Sequence, residues 1–373
     1  MNQPVLIIGA GIAGLALARA LHREHIPYAI YERRAEAADA GLAVNLPGNA
    51  ITALRRTGLG DEIAATAYPV TRREYRTEQG GLLFGVDETA FWGREAQPRC
   101  ARRADLYAML QAGLPAQSLH WGVGVTAVHQ DEAGVEVELS DGSTARGGLI
   151  VGADGVRSTV RRAAFGEEGV RVALLAAASY RFMAPNPGID HWAAWGGKFG
   201  NYLLIPVSGD EVYAFAAATR GGPAEPDLAW LEETFSGFPE PVRQTVKAAL
   251  ADPERLYHSP VEEIRIPRWS QGRAVLIGDA AHATAPVWAQ GAALALEDAE
   301  VLAGLLAAGV AAPDAAARFE QARRVRVTHV QTQTDRFSRN AAAPQWLRRF
   351  TAPVAGPAGY RAAYGPLRSW PHK

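Results

Sequence analysis

The tightest constraint on this chain lies in its first 32 residues. Val5, Leu6, Ile7 and Ile8 form an apolar run long enough for one buried strand, and Gly9-Ala10-Gly11-Ile12-Ala13-Gly14 follows at once. Leu15 to Leu21 reads as a helix, and after Pro27 a second apolar run, Tyr28 to Tyr31, ends in Glu32. The spacing predicts a strand, a glycine turn, a helix and a second, parallel strand with an acid at its tip. In such a unit Gly9 allows the tight turn, Gly11 lets the backbone approach a pyrophosphate, and Gly14 lets helix and strand pack closely. The helix start offers free N–H groups and a partial positive charge. Glu32, eighteen residues after Gly14, is placed to accept hydrogen bonds from a ribose diol. Glycine fills 38 of 373 positions, so three at this spacing arise by chance about 0.4 times in such a chain. A glycine-tolerant turn without a ligand is the competing reading. The strand, helix and acid in their required places favour a dinucleotide site.

The length suits two domains, or one large elaborated one. A hydrophobic fraction of 48% supports a sizeable core. The net charge of −1 argues against a nucleic-acid or anionic-membrane partner. With the single cysteine Cys100, an internal disulfide and a CxxC redox pair are both excluded. The apolar stretch from Val5 to Leu21 lacks a basic leader and carries three glycines, so it is not read as a signal peptide. No run reaches the roughly 18 uninterrupted apolar residues of a membrane span. A cytoplasmic location is expected.

Along the chain, Gly48 to about Ala67 is expected to be helical, with Leu46, Ala50, Ile51 and Leu54 packing into the core. Tyr75 and Leu82 to Val86 flank Gln79-Gly80-Gly81, which reads as a hairpin and breaks the alternating strand–helix order. Arg103 opens a helix running to Leu114, and Val125–Val128 with Val135–Leu139 alternate like half-buried strands. Leu149 to Val151 is a buried strand ending in Gly152-Ala153-Asp154-Gly155, followed by Ser158 and Arg161. Asn201–Pro206 and Val212–Ala218 form a second hairpin, and Leu228–Ala251 has helical periodicity. Ala274 to Ile277 is another buried strand running into Gly278-Asp279-Ala280-Ala281-His282, with Pro286, Gln290, Gly291, Glu297, Asp298 and Ala299 beyond it. Leu294–Leu306 and Ala315–Ser338 read as helices, and the tail carries five prolines from Asn340 onward. The order predicts two interleaved domains. Residues 1–69, 101–168 and 268–340 form a nucleotide domain, residues 70–100 and 169–267 a sheet domain, and 341–373 a C-terminal tail.

With these three motifs in this order, residues 3–340 resemble the class A flavoprotein monooxygenases, which share the fold of para-hydroxybenzoate hydroxylase. The smaller members acting on salicylate, urate or tetracycline look most similar. The resemblance implies an α/β fold, in which a Rossmann-like FAD-binding domain interleaves with a smaller, mostly antiparallel β-sheet substrate domain, with C-terminal helices. It implies non-covalent FAD, NADPH or NADH as a transient electron donor, O2, and an aromatic or enolic small molecule. The implied activity is hydroxylation, epoxidation or oxidation through a flavin C4a-hydroperoxide. A flavin reductase or oxidase on the same fold, and a non-catalytic FAD-binding protein, are the competing functions.

By the same resemblance the cofactor-binding set is Gly9, Gly11, Ile12, Ala13, Gly14, Glu32, Arg33, Arg103, Asp154, Gly278, Asp279, Pro286, Gln290, Gly291 and Ala292. Asp279 follows a buried strand, where a carboxylate accepts from a ribityl or ribose hydroxyl. Gln290-Gly291-Ala292 are expected just before a helix whose N–H groups suit the charge of reduced flavin, and Pro286 stiffens the loop facing the ring. Asp154 reads equally as a helix cap or turn residue. Where the family often has Gly-Gln-Gly-x-Asn, this chain has Ala289 for the first glycine and Ala293 for the asparagine. His282 is read as scaffold rather than acid or base. Strand alternation places Asn201, Leu203 and Ile205 on one face. Asn201, Leu203, Phe215 and Trp288 are the substrate candidates, each weighed against plain core packing. No catalytic base is identified, and the scattered histidines suggest no metal site. The tail either caps the substrate cavity or makes a subunit contact.

Overall fold

Uniformly apolar runs of four residues serve as inner strands of a parallel sheet, because both of their faces must be covered. Val5–Ile8 and Leu149–Gly152 are such runs, buried throughout. The structure, a computed structural model describing residues 3–36, 42–219, 221–341 and 345–371, pairs them at the centre of a six-stranded sheet. Its strand order is Ser270–Gln271, Ala274–Leu276, Leu149–Gly152, Val5–Ile8, Tyr28–Glu32 and Leu119–Trp121. All neighbours run parallel except the Ser270–Gln271 edge. This is a Rossmann-like core.

The helix Ile12–Arg23 covers one face, burying Leu15, Leu17 and Leu21 at 0% exposure. Each such leucine contributes roughly 1.5–3 kcal/mol of burial. The 18-residue helix Gln290–Ala307 crosses it. One alanine of each helix closes on Gly278, where a Cβ would lie 2.9 Å from the Ala13 Cβ and 3.3 Å from the Ala295 Cβ.

A seven-stranded sheet forms the second body, in the order Tyr257–His258, Ser179–Pro185, Glu211–Ala218, Gly200–Pro206, Trp192–Gly196, Arg72–Thr77 and Leu82–Asp87. Its pairings are antiparallel apart from Trp192–Gly196 beside Arg72–Thr77. One face carries Tyr180, Phe182, Trp195, Tyr202 and Leu204 under the helices Leu228–Phe235 and Glu240–Ala251. The other carries Tyr75, Trp192, Leu203, Ile205, Tyr213 and Phe215, and meets Leu42, Ala43, Val70 and Cys100 near the small sheet of Ala43–Leu46, Arg99–Arg102 and Tyr68–Pro69. Alternation sorts the two faces.

Three local expectations are corrected. The stretch 48–67 is two helices, Gly48–Arg56 and Gly60–Thr66, broken where Gly58 takes φ +81°. The 228–251 stretch also divides, with Pro239 capping the second helix. The helix expected from Leu294 begins at Gln290, so Gln290, Gly291 and Ala292 are its first turn and not the loop before it.

The tail is a helix, Gln345–Tyr364, despite Pro353 and Pro357 within it. It lies on the Leu82–Asp87 strand so closely that a Cβ on Gly356 would sit 2.3 Å from the Phe84 ring. Among the described residues, no helix is long and apolar enough to cross a membrane.

Candidate functional site

The three motifs close on one another through atoms that leave no spare room. Gly9 takes φ +106°, and a Cβ there would lie 2.5 Å from the Ala153 carbonyl oxygen, so the first motif touches the second. Arg161, 5% exposed, donates from Nη1 to the Ala280 carbonyl at 2.9 Å and from Nη2 to the Val156 carbonyl at 2.7 Å, joining the second motif to the third. Gly278 takes φ +57°, and its Cβ would lie 2.9 Å from the Ala13 Cβ, returning the third motif to the first. Gly14 is equally confined, since its Cβ would fall 1.9 Å from the Gly9 oxygen.

Gly11 is the exception. A Cβ there would meet nothing within 4 Å. It caps the helix Ile12–Arg23 with no side-chain partner and no acid in the first turn, so that helix start presents free N–H groups. Ile12 is half-buried and Ala13 buried behind it. The helix Gln290–Ala307 likewise starts without a side-chain cap or an acid in its first turn.

Asp279 stands between these features, its Oδ1 3.7 Å from the position of a Cβ on Gly291. Its side chain reaches solvent, yet protein walls surround it. Their desolvation pushes its carboxyl above the ordinary value, with His282 and Arg103 pulling the other way. Arg103 is half-buried and donates from Nη2 to the Tyr107 hydroxyl at 3.2 Å.

At the far end Glu32 accepts from the Ala10 N–H at 2.8 Å and the Arg34 N–H at 3.0 Å, while Arg33 beside it is exposed. Ser158 caps the helix Thr159–Phe165, and Asp154 satisfies two more N–H groups of its first turn, its Oδ2 accepting from Thr159 N–H at 2.6 Å and Val160 N–H at 3.2 Å. Its buried Oδ1 has no hydrogen-bond partner among the described residues. Two bare helix starts, open space over Gly11 and a carboxylate in the same groove suit a ligand carrying phosphates and hydroxyls.

Behind the third motif lies a buried ionic network. Asp298, fully buried, accepts from His282 Nε2 at 2.6 Å, Gly278 N–H at 2.9 Å and Arg323 Nε at 2.7 Å. Burial alone would raise its pKa, but His282 and Arg323 outweigh that and hold the carboxyl below its ordinary range. Glu297 accepts a bidentate pair from Arg326, both at 2.7 Å, and from Asn49 Nδ2 at 2.9 Å; Arg323 Nη1 adds an ion contact at 2.7 Å. The Gln290 side chain is buried and exchanges hydrogen bonds with Asn49, so only its backbone faces the groove. His282 is thus a strut. Asn49, Arg323 and Arg326 were not singled out in the sequence.

The substrate candidates divide. Leu203 and Phe215 are half-buried on the sheet face that meets the small sheet, and Phe215 also packs against the cluster of Ala176, Val261 and Ala285. Asn201 is exposed near the strand's start, and its Nδ2 donates to Thr219 Oγ1 at 3.3 Å. Trp288 ends a 3-10 turn begun by the exposed Pro286. Its indole meets Phe337 and Tyr364 edge-on.

Tyr213 is the residue sequence reasoning missed on this face, although it lies two positions before Phe215 and alternation marks it. Burial pushes its hydroxyl up to about 12, with Arg181 and Arg103 pulling it down. It therefore stays protonated and able to donate at neutral pH.

The FAD binding domain family matches residues 2–336. The 2-heptyl-3-hydroxy-4(1H)-quinolone synthase of Pseudomonas aeruginosa is 33% identical over 341 residues, covering 88% of this chain and 87% of that one. The 3-amino-4-hydroxybenzoate 2-monooxygenase of Streptomyces cremeus is 30% identical over 358 residues, covering 91% and 88%. The crystal structure of Klebsiella pneumoniae HpxO complexed with FAD and uric acid superposes with a TM-score of 0.78 at 26% identity, covering 98% of this chain and 93% of that one. The chain belongs to the FAD binding domain family, within which it is an FAD-dependent aromatic monooxygenase.

Proposed function

We propose that the protein uses NAD(P)H and O2 to hydroxylate a small planar aromatic or enolic ring that bears a ring oxygen. The observation that carries this reading is the sheet face where Leu203, Ile205 and Phe215 cluster with Tyr213, an apolar surface carrying a hydroxyl on which the charges of Arg181 and Arg103 act. A quinolone, a hydroxybenzoate and uric acid in the relatives' names share that ligand chemistry.

The residues fit FAD. Gly9, Gly11, Ile12, Ala13 and Gly14 would cradle the pyrophosphate, Glu32 and Arg33 the adenosine end, and Asp279 a hydroxyl of the linking chain. The first turn at Gln290, Gly291 and Ala292, with Pro286 and Gly278, would hold the flavin ring, and Arg103 would meet its phosphate or ring side. Asp154 supports the groove by accepting from the first turn of its helix. Bound FAD would supply the redox chemistry, by which two electrons from NAD(P)H and two from the substrate reduce O2, one oxygen atom entering the substrate and the other leaving as water.

The chain's own groups bind and orient. The Gln290–Ala307 helix start favours negative charge on the reduced ring. Leu203, Phe215 and Trp288 exclude water and stack on the substrate. The Tyr213 hydroxyl donates to the substrate's ring oxygen, and Asn201 marks the outer rim.

The test is to supply 18O2 and NADPH or NADH to the FAD-loaded protein with 4-quinolones, hydroxybenzoates and purines, following product mass. Incorporation of one labelled oxygen into one class supports the reading. Nucleotide oxidation that yields only hydrogen peroxide with every class would favour an oxidase instead.

A further inference from the structure

The loop leading into the Gln290–Ala307 helix ends in a conformation its residue disfavours. Ala289 takes φ 52° and ψ 35°, and among the described residues only it and His25 combine positive φ with a side chain. A Cβ crowds the following carbonyl in that region, so glycine is the ordinary choice. At this position the chain has alanine where the resembled family often has glycine. The strain needs an external hold.

That hold comes from the other end of the chain. Tyr364, the fully buried last residue of the tail helix, donates its hydroxyl to the Trp288 carbonyl at 2.7 Å. The Trp288 carbonyl and the Ala289 nitrogen belong to one rigid peptide plane. Fixing that oxygen therefore fixes the plane about which Ala289 turns. The hydroxyl in turn accepts from Arg73 Nη1 at 3.4 Å. Arg73 is 1% exposed, paired with Glu88 at 2.6 Å and stacked over Trp192 with 4.4 Å to the ring centre. Glu88 also accepts from the Tyr360 hydroxyl at 2.6 Å. A buried ion pair and two tail tyrosines thus brace one carbonyl. The residue that follows it caps the helix whose start faces Asp279.

We propose that Tyr364 is a positioning residue for FAD: by clamping the Trp288 carbonyl it holds Ala289 left-handed and aims the Gln290–Ala307 helix start into the cofactor groove. The clamp replaces the conformational freedom of the missing glycine. This rests on FAD lying along that helix start, as proposed above.

The experiment measures FAD affinity by fluorescence titration of the full-length apoprotein in four forms: wild type, Tyr364→Phe, Ala289→Gly and the double variant, each with its melting temperature. Phenylalanine keeps the ring and removes one donor, so Tyr364→Phe weakens FAD binding about tenfold, the worth of one hydrogen bond. Ala289→Gly alone binds as wild type does. In the glycine background Tyr364→Phe changes affinity less than about twofold, because no strain is left to hold. The same loss in both backgrounds, or no loss in either, overturns the clamp. If Tyr364→Phe alone does not fold, the double variant decides: recovered folding and FAD binding support the proposal, and failure of both overturns it. A wild-type chain that takes up no FAD overturns the cofactor placement itself, a separate result.

Discussion

The Asp279 carboxylate lies beside Gly291, 3.7 Å separating Oδ1 from the point a Gly291 Cβ would occupy. The acid opens the short helix Asp279–His282 just beyond the parallel strand Ala274–Leu276 and the glycine lies in the first turn of another helix, so one wall offers an acceptor beside several N–H donors. Ligands of open α/β sheets bind beyond the carboxyl ends of strands for this reason.

Asp279→Asn should weaken FAD binding about tenfold or more without lowering apoprotein stability at pH 7. Desolvation raises its carboxyl above the ordinary value, so ionising it opposes folding. The folded state then holds more protons between the ordinary and the raised value, and this group's contribution falls as pH rises through that window. Melting curves of both apoproteins at pH 4 to 8 check this. A wild type gaining on the variant as pH rises would refute it.

Two glycines of the first motif, Gly9 and Gly11, should fail in different ways. Gly9→Ala forces a Cβ to 2.5 Å from the Ala153 oxygen at a positive φ, so the protein should lose stability or not accumulate. Gly11→Ala meets no protein atom within 4 Å and sits at the helix cap at a negative φ, so its melting temperature should change little while FAD binds about tenfold or more weakly. Normal FAD affinity in Gly11→Ala would show that the open space is not the pyrophosphate site.

Arg323→Met should destabilise the protein by about 3–5 kcal/mol, because it leaves Glu297 and Asp298 buried with one cation fewer. Urea unfolding of the FAD-free protein measures it. A loss below roughly 1 kcal/mol would mean that Arg326 and His282 suffice.

Acid should unfold the protein partly through Asp298. Its folded-state pKa is depressed, so its contribution is fully present above the ordinary carboxylate value and is lost as pH falls from about 4 toward the depressed value. Asp298→Asn should be less stable at pH 7 and should show a flatter dependence below about pH 4. Equal slopes for the two proteins would assign the acid limb to other carboxylates.

Tyr213→Phe should leave FAD affinity unchanged and lower kcat/KM about tenfold for a substrate with a ring oxygen. The loss should shrink for an analogue lacking that oxygen. Equal losses for both would make Tyr213 a packing residue.

Much of this architecture is local and was readable. Runs such as Val5–Ile8 and Leu149–Val151, glycines at fixed spacing, and alternation in the strands around Leu203 depend on near neighbours in the chain, so they name the sheet, the turn and the face. The boundaries were less legible. Gly58 and Pro239 interrupt periodic stretches that continue on both sides, and the tail forms a helix across two prolines because the Leu82–Asp87 strand offers it a surface.

The pairings that brace the site were not legible, because each joins residues far apart in the chain. Asn49 meets Glu297, Arg73 meets Tyr364, and Asp298 meets Arg323. In sequence these are ordinary polar residues on periodic stretches, and only packing decides which charges lose their water and must find each other. The sequence by itself determined a glycine turn, two Asp-bearing motifs and a sheet, and its resemblance to the class A flavoprotein monooxygenases implied the FAD-dependent activity. The tertiary structure decided that an alanine could stand in the third motif's glycine position, because a tyrosine 75 residues beyond it reaches back to the adjoining carbonyl.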